Sequence, residues 1–192
     1  MGKGRFEAFS DGVLAIIITI MVLELKVPHG ADLAALKPLI PVFLSYVLSF
    51  VYVGIYWNNH HHMLHAVTTV TGPILWANLH LLFWLSLIPF TTAWMGENHW
   101  AAVPVALYGV VLMLCAIAFT LLARMMARHE GKDSSLARAI GKDRKTLAST
   151  VFNLAGIGLA FVNPWIAVAC YVAVAVIWFL PDRRIERVLN VS

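Results

Sequence analysis

The chain opens on residues that could bind, orient or relay charge: Arg5-Phe6-Glu7-Ala8-Phe9-Ser10-Asp11-Gly12, followed at once by the apolar run Val13 to Leu23. A carboxylate at the mouth of an apolar helix is expensive to desolvate, so Asp11 needs a partner or a task. A simpler reading also stands: Ser10 and Asp11 can act as a cap, their oxygens accepting from free amides at a helix start. A second group is Asn58-Asn59-His60-His61-His62-Met63-Leu64-His65, which holds four of the eight histidines. His61 and His65 stand four apart, so one helix face could present both imidazoles to a shared metal ion. No carboxylate or cysteine accompanies them in the sequence, and consecutive histidines cannot all face one ion; the expectation is no metal and no other cofactor. His80 lies deep in a third apolar stretch, near Trp76 and Trp84. A polar group at that depth needs a partner. Contact between His80 and the Asp11 group would make the site sensitive to cytoplasmic pH, because histidine titrates near neutrality.

The elements that must position these residues follow from composition. Of 192 residues, 60% are apolar and 12% charged, and mean hydropathy is +0.79. A soluble domain is about a quarter charged, so the chain reads as an all-α membrane protein. A hydrocarbon core about 30 Å thick takes about 20 helical residues. Six spans are predicted on that basis, near 6–27, 38–58, 72–94, 102–125, 146–162 and 165–181, forming a single domain over 1–192. Asn163-Pro164 separates the last two as a tight turn, although one long kinked helix is the competing reading. No cleavable signal is evident in the first apolar run. Cys115 and Cys170 both lie in apolar runs and read as small core residues.

Lys and Arg placement sets the orientation. With the amino terminus inside, the inner side takes Lys3, Arg5, Arg124, Arg128, Lys132, Arg138, Lys142, Arg144, Lys145, Arg183, Arg184 and Arg187, and the outer side only Lys26 and Lys37. Both termini are therefore expected in the cytoplasm, in the inner or plasma membrane of a bacterium or archaeon. The basic residues follow topology and imply no nucleic-acid partner. Ser134 to Lys142 is expected as a short surface helix.

At about 100° per residue, Gly12, Ile16, Thr19, Ile20, Leu23 and Val27 share one stripe of the first helix, and Asp11 falls about 140° from Ile16. Apolar residues at this spacing line almost any membrane helix, whether it faces lipid, protein or a pore. The end of the second helix and the start of the third are level with Ser10 and Asp11, so a histidine or Asn78 is the expected partner of Asp11. His62 and His65 are expected in the following loop, against water.

The segment Arg5-x-x-x-Phe9-Ser10-Asp11-Gly12-Val13-x-Ala15-Ile16-x-x-Thr19, with Leu23-Glu24, resembles the transmembrane protein 175 family of potassium channels. Tyr56-Trp57-x-x-His60-His61, Asn78 and Pro89-Phe90 extend the resemblance. It implies a prokaryotic channel of one six-helix repeat per subunit, four identical subunits enclosing a pore lined by the first helix. By position, Ile16, Ile20 and Leu23 would form the constriction, with Thr19 beside the pathway. Arg5, Phe9, Ser10, Asp11, His60, His61, Asn78 and His80 are the residues assigned to an interhelical network behind it. Potassium would be the permeant ion, in a bilayer. No Thr-Val-Gly-Tyr-Gly filter sequence is present, so selection would fall to a dehydrating apolar ring, which favours potassium over the more strongly hydrated sodium and can gate by dewetting.

Two other functions compete. A proton-coupled secondary transporter could use Asp11 and the histidines as a relay, although no repeat or Gly/Pro-broken helix pair of the transporter type is visible. A membrane enzyme or bis-histidine haem protein lacks paired carboxylates, a metal signature and a nucleophile with its base; no enzyme activity is expected.

Overall fold

The computed structural model describes residues 2–131, 134, 136–137 and 144–179. Their regular structure is helical throughout: α1 (Lys3–Leu23), a 3-10 segment (Leu33–Leu39), α2 (Ile40–His65), α3 (Gly72–Leu85), α4 (Ile88–Glu97), α5 (Ala102–Glu130), α6 (Arg144–Leu159) and α7 (Pro164–Phe179). Four stretches are long and apolar enough to cross a membrane: α1, the 3-10 segment with α2, α3 with α4, and α5. The protein is a multi-pass membrane protein.

The described parts of the last two expected spans are shorter than the other four. Over the described residues α6 and α7 have 16 residues each, about 24 Å of helix against a core about 30 Å thick. They form an antiparallel pair rather than one kinked helix. The chain turns at 160–163, the Asn163 side-chain oxygen accepts from the Trp165 amide at 2.9 Å, and Trp178 Nε1 donates to Ser149 Oγ at 2.7 Å farther along the pair.

The other boundaries also move. The second helix continues to His65, past the expected end at 58, because the histidine-rich segment contains no Gly or Pro and buries Met63 and Leu64 in the core. His62 and His65 therefore sit on the last turns of α2 and not in a loop. The third span is broken at Ser86–Leu87: Pro89 lacks the N–H that would bond the Leu85 carbonyl, and the helix restarts at Ile88. The fourth runs to Glu130, beyond the expected 125. Of the expected surface helix Ser134 to Lys142, most lies outside the described residues, as do Lys132, Arg138, Lys142, Arg183, Arg184, Arg187 and the end of the sixth span.

One end of the bundle collects the start of α1, the end of α2, the start of α3 and the end of α5. The loop after α2 is fastened there to α5: the Thr68 amide donates to Glu130 Oε1 at 2.9 Å, and Thr69 Oγ1 meets His129 Nε2 at 2.8 Å. At the other end Lys26 pairs with Glu97 at 2.6 Å, and Trp100 donates from its indole to the Pro41 carbonyl at 3.1 Å. The chain thus reverses direction between α1 and α2, between α2 and the α3–α4 span, and between that span and α5.

The core has two parts. α1, α2, α3 and α5 enclose one, around Phe6, Leu14, Val53, Leu81, Leu122 and Met126. α2, α4, α5 and α7 enclose the other, around Tyr52, Met95, Tyr108 and Tyr171. Buried hydroxyls in the second are satisfied in series. Ser49 Oγ lies 2.6 Å from Thr92 Oγ1 and 3.0 Å from Tyr108 Oη, and Tyr52 Oη donates to the Tyr171 carbonyl at 2.6 Å. Tyr171 sits between Gly109 and Gly156, where a Cβ at either would land on the phenol. These contacts make α2, α4, α5 and α7 a braced scaffold against which α1 is laid.

Candidate functional site

α1 is largely exposed, and its two sides differ in chemistry. Phe6, Ser10, Leu14, Ile17 and Met21 form its buried face. About a third of a turn away, Ile16, Ile20 and Leu23 are 58%, 42% and 80% exposed. Thr19 is exposed beside them and donates its hydroxyl back to the Ile16 carbonyl at 2.8 Å. The expected constriction residues thus form one continuous apolar stripe that no other element covers among the described residues. Phe9, 51% exposed, and Arg5, also exposed, lie on the same side.

Behind this stripe, Ser10, His60 and Asn78 meet from three helices, each at most 2% exposed. Ser10 Oγ donates to the Phe6 carbonyl at 3.0 Å, so it must accept from Asn78 Nδ2 at 2.9 Å. That fixes the amide orientation: Asn78 Oδ1 faces His60 Nε2 at 2.8 Å and accepts its proton. The result is a directed chain, His60 to Asn78 to Ser10 to the α1 backbone. The Phe6 ring stacks on the His60 imidazole with centroids 6.0 Å apart. α1, α2 and α3 are joined at one buried point by the Ser10 hydroxyl, both ends of the Asn78 amide and His60 Nε2.

Half a turn outward, a second ladder joins α1 to α2. Asp11 Oδ1 accepts from Trp57 Nε1 at 3.1 Å, and one turn earlier on α1 Glu7 Oε1 lies 3.4 Å from His61 Nδ1. The Trp57 and His61 rings stack with centroids 6.1 Å apart. Because the helices are antiparallel, the four-residue step Glu7–Asp11 meets the four-residue step Trp57–His61. This corrects the expected partner of Asp11, which is neither Asn78 nor a histidine: Asn78 is consumed by Ser10 and His60, and Asp11 lies toward the surface, where among the described residues the Trp57 indole hydrogen-bonds it. Trp57 and Glu7 are the two residues of the site that sequence reasoning passed over, although the matched spacing on two antiparallel helices is visible in the sequence.

His80 does not join either ladder. It is exposed and accepts from Trp84 Nε1 at 2.9 Å, one turn along α3. The expected route from cytoplasmic pH through His80 to Asp11 is therefore absent, since α3 presents Asn78, not His80, to α1.

The comparisons place this arrangement. The profile of the family described as "Endosomal/lysosomal potassium channel TMEM175" matches residues 5–89, the segment that carries both ladders. A protein named as a potassium channel in a Chryseobacterium species is 57% identical over 190 residues, 99% of each chain. The chain belongs to the TMEM175 family. A second relative named as a potassium channel, from Streptomyces collinus, is 35% identical over 88% of this chain and 87% of its own. The TMEM175 fold is matched by the crystal structure of a lysosomal potassium-selective channel TMEM175 homolog from Chamaesiphon minutus, with TM-score 0.79, 29% identity, and 93% and 96% of the two chains covered.

Proposed function

We propose that this TMEM175-family chain is a potassium-preferring cation channel, a homotetramer in which four copies of α1 enclose the pore and both termini lie in the cytoplasm. The observation that carries the reading is the uncovered stripe of Ile16, Ile20 and Leu23 on α1. One helix cannot enclose a pathway, so a rotationally symmetric assembly is required. In it the exposed stripes converge on the axis, and the buried faces keep the contacts to α2 and α3 described above. The naming of the Chryseobacterium, Streptomyces and Chamaesiphon relatives as potassium channels supports the permeant ion.

The mechanism follows from the side chains. Isoleucine and leucine offer no oxygen to replace water, so an ion crosses the ring by shedding hydration or the ring stays dry and closed. Potassium loses water at lower cost than sodium and passes preferentially. The Ser10–Asn78–His60 chain sets the rotation of α1 about its axis, and with it which residues reach the pore. The same chain argues against a proton-coupled carrier. Its last donor, the Ser10 hydroxyl, ends on the Phe6 backbone carbonyl, and no onward proton acceptor follows among the described residues.

Cysteine accessibility tests the assignment. In a Cys170→Ala background, with Cys115 buried, a charged thiol reagent is expected to change potassium flux through Ile16→Cys and Leu23→Cys. Ile17→Cys and Met21→Cys, on the buried face, are expected to be unaffected. The reverse pattern would place the pathway elsewhere.

A further inference from the structure

Glu7, His61 and His65 bring a carboxylate and two imidazoles together at the end of the bundle where α1 begins and α2 ends, with ligand atoms within 4.8 Å of one another. His61 Nε2 and His65 Nε2 are 3.1 Å apart, their rings nearly perpendicular at 79° with centroids 4.4 Å apart. We propose that this cluster is a site for a divalent transition-metal ion of the zinc class, which clamps the first turns of α1 to the last turns of α2.

The geometry points to a metal of this type. Two ligand atoms about 2.05 Å from a tetrahedral ion stand about 3.3 Å apart, close to the separation of the two imidazole nitrogens. The two nitrogens already face each other at 3.1 Å, so an ion enters between them without moving either ring far. Glu7 Oε1 now lies 3.4 Å from His61 Nδ1, on the other edge of that ring, and its side chain is 30% exposed; rotation of this side chain brings the carboxylate onto the ion, giving two nitrogens, one oxygen and a fourth corner open to water. That ligand set suits zinc, cobalt or nickel rather than the oxygen-seeking calcium and magnesium. The stacked Trp57 indole holds the His61 ring in place. His60 is committed to Asn78, and His62 presents its ring to His61 at 63° with centroids 5.8 Å apart. The sequence supplied two histidines and no carboxylate beside them; the fold supplies the carboxylate from another helix.

The test is titration of tag-free, detergent-purified protein with Zn2+ by calorimetry, and it is independent of ion flux and of the channel reading. Saturable binding of one ion per subunit is expected, weakened about tenfold or more in His61→Ala, His65→Ala and Glu7→Gln and unchanged in His62→Ala. His65 is exposed, so His65→Ala is expected to fold as the parent does and is the decisive variant. Zn2+ is also expected to raise the unfolding midpoint of the parent but not of His65→Ala, and excess Mg2+ is expected not to compete. Absence of saturable binding, or parent affinity retained in His65→Ala and Glu7→Gln, would overturn the site. Binding with no change in the parent's midpoint would overturn the clamp.

Discussion

Replacing Asn78 by alanine removes the central member of the buried chain and strands both neighbours. His60, 2% exposed, is left with a ring N–H that no water reaches, at a penalty of about 1–3 kcal/mol for an unsatisfied buried donor. Ser10 keeps its bond to the Phe6 carbonyl and loses only what it accepts, about 0.5–1.5 kcal/mol for a neutral hydrogen bond. The expected loss is therefore about 1.5–4.5 kcal/mol, a factor of about 10 to 1,600 in the unfolding equilibrium. The cavity left by truncation adds to that figure, so the clean measurement is a double-mutant cycle with Ser10→Ala, in which the cavity term cancels. Ser10→Ala alone strands the Asn78 amide; in the Asn78→Ala background nothing is left to strand. A coupling of about 1–2 kcal/mol is expected, within the range for directly bonded partners. The assay is equilibrium unfolding in mixed micelles with increasing SDS, followed by tryptophan fluorescence. Additivity within about 0.3 kcal/mol would refute the reasoning, because it would mean that Ser10 and Asn78 do not act as one unit.

Further outcomes follow from the same contacts. Gly109→Ala is expected to destabilise the fold by about 1–3 kcal/mol through overpacking against Tyr171, and Tyr171→Phe in the same chain to recover part of the loss in the same unfolding assay. Trp57→Phe preserves the stack on His61 and removes the indole N–H that donates to Asp11; it is expected to lower the unfolding midpoint less than Asn78→Ala does, because water replaces the indole at this partly exposed carboxylate. Lys26→Ala is expected to leave the midpoint unchanged, since its 2.6 Å pair with Glu97 is held in solvent. A clear drop in that variant would mean that the pair is shielded by a neighbouring subunit.

Much of this architecture is legible in the sequence, and the failures have physical causes. Span positions follow from hydropathy, and the α6–α7 turn follows from Asn163-Pro164, whose local chemistry is self-sufficient. The break after Leu85 was missed because Pro89 interrupts a stretch whose hydropathy stays high on both sides; the lost hydrogen bond leaves no mark on composition. α2 outran its expected end because polar histidines signal a boundary by hydropathy, while their neighbours Met63 and Leu64 pack as core and hold the helix. Within the site, Ser10, His60 and Asn78 come together as a unit. Asp11 was paired with them because helix level along the membrane was known and rotation about the axis was not. Rotation is decided by packing of Phe6 and Leu14 against α2, α3 and α5, which no periodicity reports. His80 fell outside the site for the same reason, one face away from Asn78 on α3.

The central claim is that Ile16, Ile20 and Leu23 form the constriction of a potassium pathway. Its most direct test is cation flux into liposomes carrying the purified protein, with Ile16→Asn, Ile20→Asn and Leu23→Asn beside the parent. Parent flux that favours potassium over sodium, with the preference altered in these variants, is the predicted result. No cation flux in the parent, or the same preference in all four proteins, would contradict it.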